Sequence, residues 1–275
     1  LNDPESESEI LRSQTSGDFV KVFASVRRSV FLVVAVLTLT AFNFGSLFKN
    51  SNSLWETVHD ECLPQLKATG SPAPCTAVVF EDVEKGFALI KSENYPLDLL
   101  LLPTTKITGI ESPEILGGNT PNYFYRAWEA RTQVDKKYGP AIAPEDISLA
   151  VNSVYGRSQN QLHIHISCTR TDVKNWIQQR LPTIGSQWTK IHGGLLRHDY
   201  YFRRVTPNEL KEQNMFALLA NQIPEAKSNM GRFGLAAVAT KDRNGDLIFV
   251  LLADQADFTK FDKAHVEEIQ DHECL

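Results

Sequence analysis

Between Gln161 and Cys168 the chain reads Gln-Leu-His-Ile-His-Ile-Ser-Cys, polar and apolar residues in alternation. Successive side chains of a strand point to opposite faces, so this period of two sets Gln161, His163, His165 and Ser167 on one side and Leu162, Ile164 and Ile166 on the other. Two imidazoles on one face are costly to bury unpartnered, at roughly 1–3 kcal/mol per unsatisfied group. The pattern therefore implies a wet cleft. Imidazole has three uses in such a place: nucleophile, metal ligand, or ordinary solvated side chain. A His-x-His pair does not choose among them by itself.

The preceding loop shifts the balance. Asn152, Gly156, Arg157 and Ser158 lie just upstream of the strand, offering an amide, a hydroxyl and backbone N–H groups suited to phosphate oxygens. A zinc site wants a carboxylate or a third imidazole, and this strand holds neither. His59, His192, His198, His265 and His272 remain as residues that the fold can bring to it.

The strand resembles the histidine-triad signature, in which three histidines alternate with apolar residues, with Gln161 at the first histidine position and His163 and His165 at the second and third. Asn152, Gly156 and Ser158 fall where that superfamily has its phosphate-binding residues. Further stretches, Leu101–Thr104, Gly109–Pro113, Gln159-Asn160, His163–Arg170, Gly193–Leu195 and Glu267–His272, are similar to those of the CDP-diacylglycerol pyrophosphatases across roughly Trp55–Leu275. The resemblance implies a histidine-triad-like antiparallel sheet with flanking helices. It also implies hydrolysis of CDP-diacylglycerol to CMP and phosphatidate, with His163 as nucleophile and a nucleotidyl-histidine intermediate. His165 would bond the non-bridging oxygens, Asn152 and Ser158 would hold developing charge, and Gly156 and Gln161 would complete the phosphate site. No cofactor or catalytic metal is implied. Gln161 departs from the signature, since an amide forms hydrogen bonds but carries no proton.

The elements that must position these residues read as α+β. Strands are expected from Val78 onward, at Phe87–Lys91, Leu97–Leu102, Ile147–Val151 and Leu162–Cys168. The short loop between the last two favours antiparallel pairing, because a parallel crossover needs a dozen or more residues. Leu235–Thr240 and Leu247–Leu252 form a hairpin around Asn244-Gly245. Helices are expected at Leu54–Cys62, with Ser53 as cap, and after Asn119-Thr120-Pro121, where Phe124, Ala127, Trp128 and Arg131 recur at helical spacing. Asp172–Arg180 and Asn208–Leu219 also read as helical. Phe124 and Trp128 are core residues on this reading, with pocket lining as the alternative.

Composition bounds the setting. The 275 residues carry a net charge of −5, which leaves no cationic field for nucleic acid. Ser29–Phe48 contains no charged residue, and twenty residues at about 1.5 Å each match a bilayer core. Lys21, Arg27 and Arg28 precede this run, so the positive-inside rule orients residues 1–28 as a cytoplasmic, disordered tail. Residues 29–48 then form a single transmembrane anchor and residues 54–275 an exported catalytic domain, with a cleaved signal as the rival. Cys62, Cys75, Cys168 and Cys274 all follow the anchor, and an even count in an exported domain suggests two disulfides. Sequence does not decide among three pairings; Cys62 with Cys75 and Cys168 with Cys274 is the preferred one. The membrane is an expected partner, and a homodimer is compatible with the sequence.

Other charged groups receive plainer readings. His192 and His198 flank Gly193-Gly194 in what reads as a surface loop. Arg170, Arg203 and Arg204 fit either anion binding or surface ion pairs. His59, His265, His272 and the Glu267-Glu268 pair read as solvated.

Overall fold

The computed structural model describes residues 50–275 apart from 81–84, 93–94, 96, 135–141 and 275. The expected tail and anchor lie outside the described residues, among which no helix is long and apolar enough to cross a membrane. Among the described residues ten strands form one sheet: β1 Ala77–Phe80, β2 Gly86–Lys91, β3 Leu99–Pro103, β4 Ile147–Val151, β5 Ile164–Thr169, β6 Thr189–Leu195, β7 His198–Val205, β8 Phe233–Lys241, β9 Leu247–Gln255 and β10 Gln270–Asp271. Their order is β1-β2-β3-β5-β4-β8-β9-β7-β6, with β10 added to β5. Every pairing is antiparallel. The expected α+β class and the β4–β5 pairing are both present.

Alternation along the strands explains the layering. Leu99 and Leu101 of β3, Leu149 of β4, Ile164 and Ile166 of β5, Leu235 and Ala237 of β8, and Phe249 and Leu251 of β9 all belong to one core cluster. The helices Tyr123–Ala130 and Met215–Gln222 cover that face. Phe124 meets Phe216 edge-on at 5.1 Å, and Trp128 meets Phe249 at 4.7 Å. Both aromatics are therefore core, each burial contributing about 1.5–3 kcal/mol.

The opposite face is split. At one end Ala88, Leu100 and Leu102 pack with Val58 and the Cys62–Cys75 disulfide. At the other, Ala150, Ala236, Val238, Val250 and Leu252 pack with helix Thr171–Arg180 and Ile269. His165 lies opposite Leu100 on β3 and Ala150 on β4, one from each cluster. The histidine face of β5 is thus the polar seam between two apolar patches.

The C-terminal segment closes this seam. β10 pairs with β5 through Gln270–Thr169 and Asp271–Cys168, beyond the point where β3 begins. The Cys168–Cys274 disulfide, with Cα atoms 5.3 Å apart, ties the same two segments together. Both preferred pairings are formed.

Several local expectations are corrected. The first helix is not capped by Ser53, whose hydroxyl donates to Gln159 Oε1 at 2.9 Å; the helical stretch continues through a π turn, Thr57–Cys62, to Thr69. The cap of Tyr123–Ala130 is Asn122, which accepts from the Tyr125 amide. The helix expected at Asn208–Leu219 is two helices, Pro207–Glu212 and Met215–Gln222, the second capped by Asn214. The supposed surface loop around His192 and His198 is the β6–β7 hairpin, turning through Leu196 and Arg197 at φ 50° and 71°. The β8–β9 hairpin turns as expected, Gly245 supplying φ 86°.

The disulfide joining β5 to the C-terminus closes a loop spanning 106 residues, so replacing Cys168 and Cys274 by alanine is expected to cost about 2–4 kcal/mol. A lower urea midpoint is the expected result. An unchanged midpoint contradicts this role.

Candidate active site

His163, just ahead of β5, and His165, within it, stand side by side, ring centroids 5.1 Å apart and ring planes at 68°. Each is 7% exposed, so both rings are deep but reachable. The chemistry depends on which nitrogen of each ring is committed. His163 Nδ1 lies 2.6 Å from the Gln161 carbonyl oxygen. A carbonyl only accepts, so Nδ1 carries the proton and Nε2 keeps its lone pair. No described residue hydrogen-bonds Nε2. Burial, and then the neighbouring His165, lower the His163 pKa to about 4, and the ring is neutral over the physiological range.

His165 is held the opposite way. Its Nδ1 lies 3.2 and 3.3 Å from the two oxygens of buried Asp98. Its Nε2 is 3.2 Å from Glu267 Oε2, close enough for an ion pair but out of line for a hydrogen bond. Burial alone would depress this imidazole, yet the Asp98 bond and the Glu267 charge outweigh it and raise the pKa above its ordinary 6.5. The two rings are pushed apart in pKa, one toward lone-pair donor and one toward cation, a separation typical of paired catalytic groups.

Glu267 is the hub. Its carboxylate is 3.3 Å from His265 Nε2 and 3.3 Å from His272 Nε2, besides His165. Asn152 donates to Oε2 at 2.9 Å and accepts from the Glu267 amide at 3.1 Å. Burial works against the charged form, but His265, His272, His165 and Asn152 together hold the carboxyl well below the usual carboxylate range. His272 Nδ1 faces Ser167 Oγ at 3.1 Å, and its ring lies 4.7 Å from that of Tyr95. Glu267 and His272 are therefore not the solvated groups expected of them. His265 is half-exposed, but it too faces Glu267.

The upstream loop supports this hub more than it faces the imidazoles. Asn152 spends its carbonyl oxygen and one amide proton on Glu267. At Gly156 an added Cβ would lie 3.0 Å from the His265 Cα, so the loop closes tightly on the segment leading to Glu267 and a larger residue would press against it. The buried hydroxyl that organises the bend is that of Ser153, which accepts from the Tyr155 and Gly156 amides at 3.0 Å each and donates to the Lys263 carbonyl. Ser158 is exposed and makes no hydrogen bond to the imidazoles or Glu267. Arg157 forms a forked ion pair with Glu111 at 2.5 and 2.6 Å. Gln161 is fully buried, its amide accepting from Ile107 N and donating to the Pro103 and Thr105 carbonyls. Both its protons are spent, so it meets the site through its backbone carbonyl. Arg170 pairs with Asp172 and donates to the Glu268 carbonyl, while Arg203 binds Gln222 and Glu209.

Sequence reasoning missed Asp98 and misjudged Glu267 and His272. A lone acid abutting the apolar run Leu99–Leu102 was the available signal for the first. Two histidines and two glutamates within eight residues, ahead of Cys274, was the signal for the others. Asp98, Glu267 and His272 present ligand atoms within 4.8 Å of one another, the spacing of a metal site. All three already hold partners, respectively His165, Asn152 and Ser167.

A family model described as CDP-diacylglycerol pyrophosphatase matches residues 49–275. A CDP-diacylglycerol pyrophosphatase of Yersinia pestis is 43% identical over 243 residues, which cover 88% of this chain and 92% of that protein.

Nitrogen-15 spectra are expected to show His163 as the Nδ1-protonated tautomer, unchanged as pH falls from 8 through 6.5 and titrating only near 4. A His163 ring that titrates near 6.5 contradicts the burial and hydrogen bond assigned to it.

Proposed function

The chain belongs to the CDP-diacylglycerol pyrophosphatase family, and we propose that it hydrolyses CDP-diacylglycerol to CMP and phosphatidate through attack of His163 Nε2 on the cytidylate phosphorus. The observation that carries this reading is the free, neutral Nε2, set by the 2.6 Å bond from Nδ1 to the Gln161 carbonyl. In the first step a P–N bond forms at Nε2 and the bridging P–O bond breaks. The electron pair leaves on phosphatidate, a phosphate monoester that departs without a strong general acid. In the second step water attacks phosphorus and gives up a proton to solvent, the P–N bond breaks with its electron pair returning to Nε2, and His163 is again neutral.

His165, held cationic by Asp98 and Glu267, supplies positive charge to the non-bridging oxygens as it develops in the transition state. Asn152 retains one amide proton for the same purpose, and Ser158 comes from the exposed loop. Gln161 acts through its carbonyl, a positioning role in place of the first triad histidine. The alternation of His163 and His165 on β5 and the loop ahead of it support a histidine-triad-like site.

The finer localisation is part of the same proposal. Ser29–Phe48 anchors the protein, and residues 54–275 work outside the cytoplasm. Two formed disulfides support an oxidising compartment. An anchored enzyme meets a two-chain lipid at raised effective concentration.

His163→Ala is expected to lower kcat/KM for CDP-diacylglycerol by roughly 10³-fold or more, with CMP and phosphatidate as the wild-type products. Equal rates for the two proteins, or faster turnover of a water-soluble nucleotide by the wild type, contradict the assignment. The pH profile follows from the two shifts. Depression of His163 keeps the nucleophile neutral as pH falls through 6.5, so the acid limb of kcat/KM lies near 4. Elevation of His165 keeps its charge above 6.5, so the alkaline limb lies above that value. Asp98→Asn is expected to move the alkaline limb downward; an unmoved limb contradicts the role of Asp98.

A further inference from the structure

A second cluster of ligating groups shares no residue with the Glu267 network. His198 opens β7, Asp254 lies near the end of β9, Asp262 closes the loop after it, and Glu268 adjoins Glu267 in the turn Val266–Ile269. His198 Nδ1 is 2.9 Å from Glu268 Oε1, 3.5 Å from Asp254 Oδ2 and 3.7 Å from Asp262 Oδ2. Despite these distances Nδ1 is buried and hydrogen-bonds none of them. Asp254 is fully buried, and neither of its oxygens accepts a hydrogen bond from a described residue.

The contrast with the Glu267 hub is direct, because there each carboxylate has a donor in line. Here the ligand atoms of His198, Asp254 and Asp262 lie within 4.8 Å of one another, while His198 Nδ1 and both Asp254 oxygens lack a hydrogen bond among the described residues. Ligand atoms about 2.1 Å from a tetrahedral or octahedral cation lie roughly 3.0–3.4 Å apart, and the separations of 3.5 and 3.7 Å from Nδ1 to Asp254 and Asp262 lie just above that range. The outer bonds are also those of a ligand set. Asp262 Oδ1 accepts from the Ala264 amide at 2.7 Å, leaving Oδ2 to the cluster, and Tyr200 donates to Glu268 Oε1 at 2.8 Å. Three carboxylates face one imidazole, an excess of negative charge in a mostly buried place. The nearby ammonium of Lys260 is turned to Asp199 at 2.8 Å.

We propose that His198, Asp254 and Asp262, whose ligand atoms all lie within 4.8 Å of one another, bind a divalent cation of the Mn²⁺ or Zn²⁺ class, with Glu268 beside them. Two carboxylates and one imidazole nitrogen suit these ions better than the softer, thiolate-seeking metals. The role is structural: the cation joins β7 and β9 to the 262–268 segment, and that segment delivers Glu267 to His165. It takes no part in the phosphorus chemistry at His163.

The test uses the full chain, stripped with EDTA and reloaded separately with Mn²⁺ and Zn²⁺. Elemental analysis is expected to find one equivalent per chain, with a melting temperature raised by about 5 °C at a hundredfold excess over Kd. Asp254→Asn and His198→Ala are expected to lose both effects, and His272→Ala to keep them. The Mn²⁺-loaded wild type should show nitrogen coupling by pulsed electron paramagnetic resonance, absent in His198→Ala. His198 sits at the rim, so this variant decides the matter if Asp254→Asn does not fold. Absence of bound metal and of any melting shift in the wild type overturns the proposal. So does stoichiometric metal retained by His198→Ala with the nitrogen coupling intact, or metal lost only in His272→Ala.

Discussion

One hydrogen bond, from His163 Nδ1 to the backbone carbonyl of Gln161, underlies the chemistry proposed for this site. Because the acceptor cannot donate, the bond selects the tautomer whose Nε2 keeps its lone pair, and burial keeps that nitrogen unprotonated. The carbonyl is in turn fixed by the Gln161 side chain, which spends three hydrogen bonds on the backbone of residues 103–107. A residue that resemblance places in the phosphate site thus sits one bond further back, clamping the orientation of the ring proposed as nucleophile.

The second requirement is a cation beside that neutral ring, and the fold meets it with long-range contacts. Asp98 comes from the approach to β3, Glu267 from the C-terminal segment, and Asn152 from the loop after β4. The polar seam between the two apolar clusters gives these groups room, since the neighbours of His165 on either side are Leu100 and the small Ala150. β10 and the Cys168–Cys274 bond then bring Glu267 and His272 over β5. Removing any one carboxylate leaves the imidazoles buried against fewer counter-charges, so the network is cooperative in the sense that its members keep one another ionised.

The alternation Gln161–Ser167 was enough to place His163 and His165 on one face, because a period of two leaves no other arrangement when Ile164 and Ile166 must enter the core. The hairpin around Asn244-Gly245 was equally legible, its turn chemistry being local. What was not legible depended on tertiary contact. Glu267 sits in a short 3₁₀ turn with no periodicity, and only pairing of β10 with β5 carries it to the imidazoles. The β6–β7 hairpin turns at Leu196 and Arg197, residues that do not announce a left-handed conformation, so its Gly193-Gly194 was read as a loop. Gln161 precedes the regular part of β5, where the backbone groups of residues 103–107 claimed an amide that alternation assigned to the cleft.

The central claim is a double displacement through His163, and the stereochemical course at the cytidylate phosphorus tests it most directly. CDP-diacylglycerol made chiral at that phosphorus by a sulfur substitution is hydrolysed in ¹⁸O-water, and the configuration of the thio-CMP product is read. Two in-line displacements predict net retention. Net inversion means that water attacks phosphorus directly, and it contradicts the nucleophilic role of His163.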